Sequence, residues 1–294
     1  MNLNTTFREP ELKKKSVLVT SFLSLGAAGA FAQATPAPAA PEPAFPLTAN
    51  INVTTKYKFR GQDQGGVTLG DDGRPRTDWL TPAVQGGFDW SANGFYVGNW
   101  NSNIGFTNQG IEMDFYGGYK GEITKDFGFD VGILQYYYPQ KDKSVNFDTT
   151  ELYAALSWTF LTLKYSHTIS NDYFGIGKSQ SLLGATPKPK GQNTGYIELN
   201  ANFPLMDKLT LNGHIGYTNL AKDLNNATVD GGEGGTLSIG AKDYTDYKIG
   251  VTYDMSAFAG SGTSAAIAYV GANKKGFYGD INKGQVILTL SKAL

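Results

Sequence analysis

Three cations recur at every second position in Lys56, Lys58 and Arg60, and acidic residues follow later in the chain as Glu112 with Asp114, Glu151, and Asp246 beside Lys248. Residues two apart share one face of a β-strand rather than of a helix. Charges gathered on one face can line an aqueous path, set its ion preference and orient polar solutes. A binding or conduction chemistry therefore fits these residues better than a reaction.

The usual signs of catalysis are missing. Only two histidines occur, His167 and His214, and no local His/Asp/Glu cluster has metal-ligand spacing. No cysteine exists, which excludes disulfides, iron–sulfur clusters and thiolate zinc sites. No G-x-S-x-G nucleophile elbow occurs. Barrel phospholipases of the outer membrane need His-x-Ser on a lipid-facing strand. Here His167 is followed at that spacing by Ile169, and His214 by Gly216. Neither an enzyme nor a bound cofactor or metal is expected, and His214 reads as a hydrogen-bonded wall residue. The formal net charge of −1 argues against nucleic acid as a partner.

What must position these charges is a set of strands. About twelve segments of period-two polarity fall near 48–60, 83–90, 94–102, 111–119, 127–137, 149–157, 160–168, 194–203, 209–217, 243–254, 263–270 and 284–292. The gaps between them alternate long and short. Segments of this length, apolar on one face and polar on the other, are the signature of a transmembrane β-barrel. The fold class expected is all-β, an antiparallel up-and-down barrel of about twelve strands over 48–294, with the last strand closing on the first.

Asn93-Gly94 carries the two-residue hairpin signal. A turn near Trp158-Thr159 is required because 150–168 is too long for one crossing of about 9–11 residues. Trp90, Phe95, Trp158, Phe160 and Phe203 are expected at the inner aromatic girdle, and Tyr57, Phe59, Tyr165 and Tyr217 at the outer one.

The N-terminus sets the compartment. Lys13, Lys14 and Lys15 precede the apolar run 16–30, and Ala-Phe-Ala leads into Gln33. This reads as a signal peptide over 1–32. Residues 33–47 hold five prolines among alanines, a stiff periplasmic linker. Export with amphipathic strands points to the outer membrane of a Gram-negative bacterium. The partners expected are outer-membrane lipids and lipopolysaccharide, small hydrophilic solutes, and the barrel-assembly machinery during biogenesis. The chain ends in Leu294 rather than the aromatic residue common at barrel C-termini. Asp71-Asp72-Gly73, the acidic run 230–235 and the pair Lys188 and Lys190 read as solvated loop charges.

With odd strands running outward, Lys56, Lys58 and Arg60 on strand 1 should face Glu112, Asp114 and Glu151 across the lumen, with Asp246 and Lys248 beside them. The expected arrangement is an eyelet with a transverse field. Asp89, Asp130, Lys164, Glu198 and His214 should lie deeper. Twelve strands lie between a barrel that side chains fill and one with a clear channel. Direct pairing of these charges into a plug is therefore the competing arrangement. The long first loop, 61–82, is a further element that could fold inward and narrow the pore.

The ordered motifs YKFRG (57–61), AVQGGFDW (83–90), GFYVGNWNSN (94–103), EMDFYGGY (112–119), VGILQYYYP (131–139) and ELYAALSW (151–158) resemble the TorF family of proteobacterial porins. The resemblance covers roughly 48–294 and is strongest before 160. It implies an outer-membrane barrel of porin type and brings no established substrate or functional residue. The expected function is passive diffusion of small hydrophilic solutes through a narrow, charge-lined lumen. The alternative is a closed structural or adhesive barrel that acts through its surface loops.

Overall fold

The computed structural model describes residues 46–106, 110–139, 145–232 and 235–294. The expected signal peptide, 1–32, and most of the expected Pro/Ala linker, 33–47, lie outside the described residues.

Twelve antiparallel strands close into one barrel: β1 Leu47–Thr54, β2 Ala83–Ala92, β3 Phe95–Asn103, β4 Ile111–Thr124, β5 Phe127–Tyr137, β6 Thr149–Trp158, β7 Leu161–Thr168, β8 Gly195–Met206, β9 Leu209–Asn219, β10 Tyr244–Asp254, β11 Thr263–Ala272 and β12 Gln285–Ala293. Each strand pairs with its neighbours in sequence. β12 also pairs with β1, from Asn50 opposite Ala293 to Thr54 opposite Thr289. Closure leaves no sheet edge with unpaired backbone groups, as a hydrocarbon environment demands.

Alternation fixes which side of each strand meets lipid. Ile51 and Val53 on β1, Val84 and Phe88 on β2, Leu152 and Leu156 on β6, Ile249 on β10 and Leu288 and Leu290 on β12 are all exposed on the outer surface. An apolar belt running all the way round far exceeds the patch a soluble monomer tolerates, so the belt is the lipid-facing surface of a transmembrane barrel. A one-residue slip of any strand would turn its polar face into lipid, which pins the register.

The rims differ as expected. At one, tight turns join the strands. Asn93 and Gly94 both take positive φ (52° and 83°), the geometry of a two-residue hairpin. Thr159 and Phe160 make the turn that the strand lengths demanded, with Thr159 at φ 51°. This rim carries an aromatic girdle. Phe127 stacks on Trp158 at 5.9 Å, Phe160 meets Phe203 edge-on at 5.2 Å, and Phe95 meets Tyr119 at 4.9 Å. At the opposite rim long loops fold over the mouth. Exposed Tyr165 and Tyr217, and Tyr247 stacked on Tyr269 at 6.1 Å, belong to its girdle.

Strand 1 departs from the expected 48–60. It ends at Thr54, and Lys56 makes only an isolated bridge with Thr81. The chain then turns into the barrel. Lys58–Phe59 and Gln62–Asp63 pair as a minimal hairpin inside the lumen. Tyr57 and Phe59 are therefore not girdle residues. They are buried inside, where Tyr57 meets Trp100 of β3 at 5.6 Å and Phe59 meets Tyr136 of β5 at 6.0 Å.

Candidate functional site

The hairpin at 58–63 crosses the barrel. Its root lies against β1 and β2, and its tip reaches walls on the far side. The turn needs Gly61, whose φ is +74° and which leaves no room for a side chain. A Cβ there would sit 2.4 Å from the carbonyl oxygen of Gly271 on β11 and 2.6 Å from Cβ of Asp246 on β10. Arg60, also at positive φ (43°), is thrown toward β6 and β8.

Arg60 is the centre of the site. Its two terminal nitrogens donate to Oε1 and Oε2 of Glu151 at 3.0 and 2.8 Å. One of them also donates to the hydroxyl of Tyr173 at 2.7 Å. The guanidinium plane lies over the ring of Tyr196 at 4.0 Å and that of Phe59 at 4.7 Å. This fork-on-fork ion pair with two ring faces is the strongest way a protein holds a guanidinium. Burial opposes the charge, and Glu151 together with Tyr173 and Tyr136 more than offsets it, holding the Arg60 pKa above its ordinary value.

The rest of the hairpin is equally tied. Lys56 forms a buried ion pair with Asp63 at 2.5 Å and also donates to the carbonyl of Asp78. Tyr57 donates to Glu112 at 3.0 Å, and Tyr138 donates to the other oxygen of that carboxylate at 2.7 Å. Lys58 is half-buried and donates to the carbonyls of Ile281 and Lys283 at 3.0 and 2.8 Å. Burial lowers its pKa from the usual lysine value to about 8. Gln62 donates to Asn282 at 2.9 Å.

Above the hairpin, loop residues build an apolar cap. Tyr173, Phe174, Ile176, Leu224, Tyr278 and Ile281 are all essentially inaccessible. Phe174 packs edge-on against Phe59 and Tyr136 at 5.7 and 4.9 Å. The long-loop end of the lumen is thus filled by a hairpin and a loop core packed against wall side chains such as Trp100 and Tyr136.

Below it, the lumen is lined differently. Tyrosines lie flat along the wall, each over a glycine of a neighbouring strand. A Cβ at Gly132 would come within 2.5 Å of the Tyr153 hydroxyl, one at Gly118 within 2.5 Å of that of Tyr96, and one at Gly216 within 2.1 Å of that of Tyr196. The glycines give these rings niches and keep them from projecting across the lumen. Tyr116 donates to Asp89, and Tyr96 to Asp130, both at 2.5 Å. Lys164 sits 4.3 Å above the Tyr153 ring. Toward the short-turn rim the inward residues become amides and hydroxyls. Asn200, Asn202, Asn212 and Thr252 are hydrogen-bonded to the wall and only half-buried.

The eight charges expected to line the lumen all lie inside the barrel. Glu112, Asp114, Glu151 and Asp246 are wall residues on β4, β6 and β10, buried against the hairpin or just beneath it. Lys248 lies two residues beyond Asp246 toward the short-turn rim. Lys56, Lys58 and Arg60 are not on strand 1. They belong to the inward loop, so the open gap of a transverse-field eyelet is bridged by direct pairing in this conformation. His214 is a wall residue held by Asp246 at 2.7 Å and by Asn200 at 2.8 Å. Sequence reasoning missed Asp63, Gln62, Tyr173 and Tyr196. Asp63 and Gln62 follow directly on the glycine that makes the turn, which was a usable signal, whereas Tyr173 and Tyr196 meet Arg60 only through the closed barrel.

A sequence model of a bacterial protein family of unknown function (Gcw_chp) matches residues 38–293. The chain belongs to this family. No curated protein matches it in sequence. Among solved structures, the KdgM porin is similar at 8% identity over 84% of this chain and 97% of its own, with a TM-score of 0.46. The NanC porin matches at 10% identity over 84% and 98%, also at 0.46. OprD of Pseudomonas aeruginosa matches at 12% identity over 85% and 66%, at 0.37. The strand pairing above establishes the fold without help from likenesses this distant.

Proposed function

We propose that this member of the family is a gated outer-membrane porin, which passes small hydrophilic solutes by passive diffusion once its first loop leaves the lumen. The observation that carries this reading is the division of the lumen. The obstruction is a loop hairpin, while the wall below it keeps its tyrosines flat and its amides wetted. A barrel meant only as a scaffold has no need of that second feature. The resemblance of the sequence motifs to TorF family porins supports the same reading. So does the N-terminal export signal, which points to the outer membrane of a Gram-negative bacterium, with lipopolysaccharide around the long-loop rim. In the released state Glu112, Asp114, Glu151, Asp246 and Lys248 line the path, and selectivity follows from these charges and the pore radius.

The apolar cap over the long-loop rim favours a second reading, a permanently closed barrel that acts through its loops. Single-channel recording of the refolded protein in a planar bilayer separates the two. Discrete openings that become more frequent when hairpin residues 58–63 are deleted support the porin. A folded deletion variant that never conducts refutes it and leaves the closed barrel.

A further inference from the structure

We infer that the solute this pore selects is a small cation bearing a guanidinium group, and that Arg60 is a tethered stand-in for it. The inference rests on the porin reading and adds its substrate class.

The wall around the hairpin is acidic. Glu112 accepts from Tyr57, Glu151 accepts from Arg60, and Asp246 lies against Gly61. Asp114 is the fourth carboxylate, buried beside Glu112 and Glu151, and neither of its oxygens has a hydrogen-bond donor among the described residues. The lysines of the wall begin further along. Lys248 lies two residues past Asp246, and Lys164 is opposite Ala155, four residues past Glu151. The hairpin itself brings Lys56, Lys58 and Arg60 against Asp63. The wall carboxylates that hold hydrogen-bond donors, Glu112, Glu151 and Asp246, therefore meet a plug whose Lys56, Lys58 and Arg60 outnumber its Asp63 by two. When the hairpin leaves, its cations leave with it and these carboxylates remain.

The site vacated by Arg60 is built for one shape. Glu151 presents two oxygens to a planar fork, the Tyr173 hydroxyl offers a third acceptor, and the Tyr196 ring supplies a stacking face at 4.0 Å. Glu151 and Tyr196 belong to the wall and stay when the loop moves. A guanidinium-bearing solute meets the same oxygens and the same ring face that hold Arg60. An ammonium ion lacks the planar fork, and an anion meets the carboxylates of Glu112, Glu151 and Asp246. Such a solute competes with Arg60 and so favours the open state, because it binds only where the hairpin is absent.

The test uses the full-length refolded protein and its Arg60→Ala variant, with arginine as the probe and glutamate as the control. Arg60→Ala channels are expected to prefer potassium over chloride in a salt gradient. Millimolar arginine is expected to interrupt their potassium current at concentrations at least about tenfold lower than glutamate does, the low end of what one sign of charge in a cleft achieves. Adding Glu151→Gln should weaken the arginine effect about tenfold, since a neutral amide loses the charge-assisted fork. Channels that open but prefer chloride, or that respond equally to arginine and glutamate, overturn the substrate class and leave the porin. A folded variant that never opens overturns both. Should Arg60→Ala not refold, protein with wild-type Arg60 is titrated instead, with Trp79, Trp90 and Trp158 replaced by Phe so that Trp100 emission reports departure of Tyr57 from its ring. A change with arginine and none with glutamate supports the inference, and equal responses refute it.

Discussion

Glu151→Ala should open the lumen without unfolding the barrel. The ion pair of Arg60 and Glu151 is almost wholly buried, each side chain retaining about 2% exposure. Removing one member of a buried pair leaves the other charge uncompensated, at a cost of about 3–5 kcal/mol. In a rigid core that cost would appear as lost fold stability. Here Arg60 sits at the tip of a hairpin that is outside the barrel ladder, so the hairpin can withdraw and rehydrate the guanidinium while every wall hydrogen bond stays made. At about 1.4 kcal/mol per decade, the docked-to-released ratio should fall by about two to three and a half orders of magnitude. The lower end applies if the Tyr196 face still holds the cation part of the time. The chain contains no cysteine, so Gln62→Cys gives a clean probe at a fully buried hairpin position. Its alkylation by a membrane-impermeant maleimide in proteoliposomes should accelerate by about a hundredfold or more when Glu151→Ala is added. Channel recordings should show a matching rise in open probability. If the barrel stays heat-modifiable on gels while labelling and opening remain at the parental rate, the ion pair is not what holds the hairpin.

Further perturbations act on other parts of the same arrangement. Gly61→Val should unseat the tip, since a Cβ there meets Gly271 and Asp246 inside 3 Å; open probability should rise while the thermal midpoint of the barrel barely moves. Docking should tighten with alkalinity. Burial holds the Lys58 pKa near 8 when docked, below its ordinary value near 10.5, so the released hairpin binds more protons between those values. Docking is weakest, and constant, below pH 8 and strengthens as pH rises through the window above it. Open probability should fall from pH 8 to 10, and Lys58→Met should flatten the profile. In plug-released channels, Gly132→Val should drive the Tyr153 ring off the wall and lower unitary conductance, a change read directly from current amplitude. Finally, Ile249→Lys on the lipid face should destabilise the barrel by about 2–4 kcal/mol in a bilayer unfolding assay, whereas Asn212→Lys inside should be tolerated.

The wall was legible because lipid and water impose opposite demands on alternate residues. Every strand from β2 to β12 shows that contrast, and even the turn at Thr159–Phe160 followed from the crossing length alone. The same length reasoning applied to 48–60 would have cut strand 1 short. Thirteen residues exceed a crossing of about 9–11, and the motif ends in Arg60-Gly61. The alternation of Lys56, Tyr57, Lys58, Phe59 and Arg60 continues that of Asn50 to Thr54 without a break, and this hid the bend.

Period two says only that successive side chains see different surroundings. On β1 those are lipid and lumen. In the hairpin they are an aromatic core, formed by Trp100, Tyr136 and Phe174, and a set of carboxylates from walls three to five strands away around the barrel. Neither environment is local in sequence, so no window around residue 60 contains the partner that decides where it goes. What local sequence does contain is the demand. Three cations within five residues must find anions or water, and the wall offers Glu112, Asp114, Glu151 and Asp246 with few lysines among them. In the inference drawn above, the wall carboxylates left behind when these cations depart are what turn a stopper into a discriminating site. A barrel sealed for structure alone would balance those charges within its walls. On the proposed reading, the balancing cations sit on a loop that can leave.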